Sequence, residues 1–182
     1  MKRCPGAEHG FSLIEALVAT GILTMSLVSL AQLFGTAIDS NIASRTTTYT
    51  TVLARQKIEQ LRALEWRIGL DGLPVSDTTT DTAFVPPRSG GTGLSPSPAN
   101  ALTASTPGFV DYVDQSGDTL GGGAEPPAGA VYTRRWSIDR LPASPDTLVI
   151  QVRVTRSVVP GTAANRVADE ARLIAVRTRR PM

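Results

Sequence analysis

The chain has 182 residues, 41% of them hydrophobic but only 5% aromatic, and a formal net charge of +2. Once a membrane segment is set aside, that length leaves room for one small globular domain, and the small net charge gives no electrostatic case by itself for a nucleic-acid partner. The single cysteine, Cys4, and the single histidine, His9, both lie in the first ten residues. An intramolecular disulfide is therefore excluded, and the rest of the chain lacks the residues for cysteine–histidine nucleophiles or the usual zinc-ligand sets.

A short basic leader with Lys2 and Arg3 runs into Gly10-Phe11-Ser12-Leu13-Ile14-Glu15, after which Ala16 to Ile38 carries no charge. Crossing a bilayer core takes roughly 20 apolar residues, so this run is long enough. A secretory signal peptide has a shorter apolar core of about 7–15 residues, followed by a small-residue cleavage site. Here the small residue, Gly10, comes before the apolar run. Glu15 is out of place in a simple anchor, since a carboxylate at the centre of a bilayer costs roughly 2.5–3.5 kcal/mol. Counting bases does not orient the span, because Arg45, Arg55 and Lys57 follow it as closely as Lys2 and Arg3 precede it.

Gly10-Phe11-Ser12-Leu13-Ile14-Glu15 resembles the cleavage and methylation signal of type IV prepilins and type II secretion pseudopilins. The resemblance implies that residues 1–10 are a leader, cut between Gly10 and Phe11 by a membrane-embedded aspartyl peptidase that then methylates the new amino terminus on Phe11. It makes Glu15 the acid that neutralises the terminal amine of a neighbouring subunit during docking into a fibre. The physics agrees: an unpaired carboxylate and an unpaired ammonium are both costly in a low-dielectric layer, and pairing relieves both. Two simpler readings of Glu15 stand beside it. One is a first-turn acid that complements the helix dipole, worth about 0.3–1 kcal/mol, and the other is an ion pair with the amine of its own chain four residues away. The span lacks the helix-bending proline of many major pilins, and the chain lacks their disulfide-bounded loop, which points to a minor pilin or pseudopilin. The implied partners are the prepilin peptidase/methyltransferase, other pilin or pseudopilin subunits and inner-membrane lipid. No cofactor and no enzymatic activity are implied. A membrane-anchored enzyme with a chance prepilin-like start is the less favoured alternative, since the chain after residue 10 has no histidine or cysteine and no nucleophile-elbow or phosphate-loop motif. The implied location is the inner membrane as a single-pass protein with its C-terminal domain extracytoplasmic, then the tip or body of a pilus or pseudopilus.

In chain order, residues 11–38 form the membrane half of a long helix and residues 39–66 its amphipathic half. Ala54, Ile58, Leu61 and Leu64 mark one apolar face. Arg55 and Glu59, and Arg62 and Glu65, are opposite charges at helical spacing. No proline lies between Phe11 and Trp66, so at 1.5 Å per residue the helix reaches about 84 Å. Thr46-Thr47-Thr48 and Thr50-Thr51 are its weak section, because β-branched side chains lose rotamer freedom in a helix.

Residues 67–130 read as a Pro/Gly-rich loop region, with one short strand within Gly108 to Asp114. Asp111, Asp114 and Asp118 invite a calcium reading, but they lack the dense spacing and glycine placement of an EF-hand loop, and solvated loop acids are the preferred alternative. Residues 131–182 read as an antiparallel sheet. Its strands cover Val131 to Asp139, the alternating run Leu148, Ile150, Val152 and Val154, and about Ala171 to Thr178, with Pro142 and Pro145 marking the first turn. The predicted fold is α+β and pilin-like, a long N-terminal helix with a membrane-embedded first half packed on a small three-stranded C-terminal meander. Arg134-Arg135-Trp136 with the strands that follow is also loosely similar to the PilV-like and GspI-like minor pilins. The arginines from Arg134 to Arg180 alternate with apolar residues, as a solvated strand face or a subunit interface would. A DNA- or surface-binding minor pilin of a competence-type pilus is the alternative, but aromatic residues for stacking are nearly absent here, Tyr132 and Trp136 apart.

Overall fold

A computed structural model describes residues 11–68, 74–76, 78–157 and 170–179. The chain divides into two compact units, residues 1–42 and 43–182. A single helix, α1, runs from Leu13 to Ala63 and contributes to both.

In the first unit every described side chain is exposed, among them Phe11, Ile14, Leu17, Ile22, Leu23, Met25, Leu33 and Phe34. This is one helix long and apolar enough to cross a membrane. Five of its hydroxyls bond within the helix. Thr20, Thr24, Ser26, Ser29 and Thr36 donate their hydroxyls to carbonyls four residues back, at 2.6–3.0 Å. These five hydroxyls thus carry their own acceptors, as an apolar surrounding would require. The threonine-rich stretch 46–51 is continuous helix rather than a break, and Thr48, Thr50 and Thr51 bond back in the same way.

The second unit contains the C-terminal half of α1 and the strands. Two small antiparallel pairs follow the helix: β1 (Trp66–Ile68) with β2 (Pro74–Ser76), and β3 (Thr80–Asp81) with β4 (Arg88–Ser89). The main sheet is antiparallel throughout, in the order β6-β5-β7-β8-β9. Its strands are β5 (Val110–Val113), β6 (Thr119–Gly121), β7 (Tyr132–Leu141), β8 (Ser144–Arg156) and β9 (Glu170–Thr178). The three expected strands pair as the antiparallel meander β7-β8-β9, and the sheet extends beyond it: the short strand expected within Gly108 to Asp114 joins as β5, and β6 is an unexpected fifth strand. The turn after β5 shows why β6 is hidden in the composition. Asp114 Oδ1 accepts the backbone N–H groups of Ser116, Gly117 and Asp118 at 2.8–2.9 Å, and Gly117 supplies the φ of +98° that closes the turn. What reads as loop composition is the hairpin that brings β6 back along β5.

The face of the sheet toward α1 follows the period-two pattern. Leu148, Ile150, Val152 and Val154 are buried with Trp136 and Ile138 in one cluster with Leu53, Ala54, Ile58, Leu61 and Leu64. Strand β7 outruns β5, and Ser97 takes over the edge this frees. The Ser97 N–H donates to the Ile138 carbonyl, and the Ile138 N–H donates to Ser97 Oγ, both at 3.0 Å.

Candidate functional site

Of the residues expected to act in processing and assembly, Gly10 lies outside the described residues, as do Cys4 and His9. Phe11 is 82% exposed just before the helix. Glu15 sits in the first turn of α1, also exposed. Its own N–H donates to Ser12 Oγ at 3.2 Å, while the Ser12 carbonyl accepts from Ala16 N–H at 3.1 Å. Ser12 is therefore the N-cap, and Ser12-Leu13-Ile14-Glu15 has the spacing of a capping box, in which the acid three residues on can return the bond. Sequence reasoning passed over Ser12 although the S-x-x-E signature was legible. Phe11 and Glu15 lie together around one helix start, and the carboxylate has two candidate duties there: capping, and holding charge for a partner.

A second constellation lies inside the unit of residues 43–182. Lys57 on α1, Asp111 on β5 and Arg134 on β7 are each 0% exposed. The Arg134 guanidinium grips Asp111 with two parallel bonds, Nε to Oδ1 at 2.7 Å and Nη2 to Oδ2 at 2.9 Å. Its other donors reach Gln56 Oε1 at 3.1 Å and Thr119 Oγ1 at 3.2 Å. Lys57 Nζ stands 2.6 Å from Asp111 Oδ2 and 4.3 Å from the centre of the Trp136 ring. The approach to Asp111 is an ion pair without good hydrogen-bond direction, and Nζ has no other acceptor among the described residues. Two cations therefore share one carboxylate, with an aromatic face as the remaining support. Burial, the largest cause, and the charge of Arg134 lower the Lys57 pKa from its ordinary 10.5 to about 8, against the pull of Asp111 and Asp81.

This constellation corrects two expectations. Asp111 is not a solvated loop acid: it is buried in β5 and spent on Arg134 and Lys57, while Asp114 is spent on its own turn, and no cluster of metal-ligating side chains occurs among the described residues. Nor do the arginines form one solvated face. Arg134 is in the core, Arg153 pairs with Glu170 at 2.8 Å and Arg179 with Asp146 at 2.9 Å, whereas Arg140, Arg156 and Arg172 are exposed. Arg166 and Arg180 lie outside the described residues. Arg135 donates to Ser105 Oγ, and burial lowers its pKa. Comparison with family models, curated proteins and solved structures finds no match for this chain.

Proposed function

We propose that the chain is a minor pilin or pseudopilin, a structural subunit of a type IV pilus or type II secretion-like fibre that helps initiate or modify assembly. One observation carries the reading: the Gly10-Phe11 step directly precedes a capped helix whose side chains up to Ile42 are all exposed and whose first turn holds the lone acid Glu15. In this reading the prepilin peptidase cuts after Gly10 and methylates Phe11, and the apolar half of α1 waits in the inner membrane until it packs among other subunits. Residues 43–182 form the extracytoplasmic part, which is neither an enzyme nor a holder of a cofactor. Within it Asp111 and Arg134, which other readings gave to cation or phosphate binding, tie β5 to β7 and help hold α1 on the sheet. That favours a structural part over the DNA-binding alternative.

Intact-mass measurement of the protein purified from membranes tests the proposal. The expected product lacks residues 1–10 and begins with N-methylated Phe11. The Gly10→Val variant keeps the leader, because a branched side chain replaces the smallest residue at the scissile bond. A mature wild-type form that retains Met1 to Gly10 overturns the reading.

A further inference from the structure

Strand β9 closes the sheet order, with β8 as its only described neighbour. It runs nine residues without a proline, a lysine or a register shift. Edge strands of that kind are usually blunted by charge, bulge or cover. This protein does cover the short freed edge of β7, with Ser97, but among the described residues nothing covers β9.

The register tells which groups are left open. Beyond the Thr147–Thr178 pair, Arg179 N–H donates to the Asp146 carbonyl at 2.9 Å. Antiparallel ladders alternate bonded and unbonded pairs. Residues 171, 173, 175 and 177 therefore bond to β8, and Glu170, Arg172, Ile174, Val176 and Thr178 turn their N–H and C=O groups away from it. Among these same residues, Ile174 and Val176 are 61% and 60% exposed. The only acid of the strand, Glu170, is already paired with Arg153, which leaves the strand's two arginines without one. Arg172 donates to Gln151 and Arg177 to the Leu61 carbonyl, and neither has a carboxylate partner among the described residues, whereas Arg62 beside Arg177 is paired with Glu59.

We propose that β9 is a strand-addition site for an extended acidic–apolar segment of another protein, its carboxylates opposite Arg172 and Arg177 and its apolar side chains beside Ile174 and Val176. Main-chain bonds to the outward groups give the affinity, and the side chains give the choice of partner. A second copy of β9 fits poorly. Antiparallel self-pairing follows a two-fold axis perpendicular to the sheet, which reverses any helix lying on it, whereas copies anchored in one membrane share a direction. It also meets Arg172 and Arg177 with no acid except Glu170, which already pairs with Arg153. The inference does not depend on the fibre reading, and only the argument against a second copy uses α1 as a membrane anchor.

The test uses the full chain in detergent micelles and a labelled synthetic peptide, Thr-Glu-Val-Thr-Val-Val-Glu-Thr, followed by fluorescence anisotropy. Saturable binding is expected. Ile174→Pro removes one outward N–H and no bond of the β8 ladder, and should weaken binding about tenfold or more. Ile174→Ala keeps that N–H and should stay within about fivefold of wild type. A peptide N-methylated on the alternate nitrogens that face β9 should lose about as much as the proline variant. If Ile174→Pro does not fold, the N-methylated peptide decides. Absence of wild-type binding at millimolar peptide, or equal binding of the N-methylated peptide, overturns the proposal. So does efficient self-cross-linking of Ile174→Cys in a Cys4→Ser background, which would give the edge to a second copy.

Discussion

Lys57 makes the stability of the residue 43–182 unit depend on pH in an unusual sense. Its ammonium is worse off in the folded state than in water, which is why its pKa falls from 10.5 to about 8. Below about pH 8 both states hold the proton, and the full penalty of the buried charge is present. Between about 8 and 10.5 the unfolded chain still binds the proton while the folded unit has released it, so unfolding takes up a proton and stability rises with pH. Above 10.5 both states are neutral and the gain is complete. At about 1.4 kcal/mol per pKa unit the gain is about 3 kcal/mol. Lys57→Met removes the charge, leaves Asp111 in the two-bond grip of Arg134 and fills a similar volume. The variant should be at least as stable as wild type at pH 7, since replacing buried charge by well-packed apolar groups is often neutral or stabilising. Equilibrium denaturation of both proteins, followed by tryptophan fluorescence from pH 7 to 10.5, measures the difference. Wild type should gain about 3 kcal/mol on the variant across that window. Parallel pH curves, or a wild type that loses ground to the variant as pH rises, would refute the reasoning.

Two further predictions bear on single side chains. Asp111→Asn leaves two buried cations without their carboxylate and should cost about 3–5 kcal/mol at pH 7 in the same denaturation assay, well beyond what Lys57→Met does. Glu15→Gln separates the two duties of that residue, because glutamine serves in a capping box but carries no charge. If Glu15 neutralises a neighbour's amine, Glu15→Gln and Glu15→Val should both fall in sheared fibres relative to the membrane pool, while cleavage and insertion stay intact. Normal incorporation of the glutamine variant alone would assign Glu15 to the helix start.

Where a pattern is local, the sequence shows it. The buried faces of α1 and β8 are written as residues at helical and at alternate spacing, and Ala54, Ile58, Leu61, Leu64, Leu148, Ile150, Val152 and Val154 are all in the core. The helix cap is equally local: Ser12 stands three residues before Glu15, the spacing of a capping box. The buried charges were harder, since their partners are far apart in sequence. Even so, each carried a local hint. Lys57 lies three residues after Ala54 and four before Leu61, inside the apolar stripe. Arg134 shares its side of β7 with Trp136 and Ile138 by the same alternation that places Val152 opposite Trp136. Asp111 stands among Val110, Tyr112 and Val113 in a strand that is buried throughout. A charge at a core position asks for a partner, but only the pairing of β5 with β7 says which one.

The position of Lys57 also matters before the fold exists. Chains are made amino terminus first, so the stripe Leu53, Ala54, Ile58 and Leu61 is complete long before β8, whose Val152 and Val154 will cover it. Pairing over such sequence separations is slow, and an uncovered apolar face is open to association in the meantime. In that interval the Lys57 ammonium is in water, fully charged and costless, in the middle of the sticky face. It acts there as a gatekeeper against premature contacts. The same charge that weakens the finished unit at neutral pH protects the unfinished one.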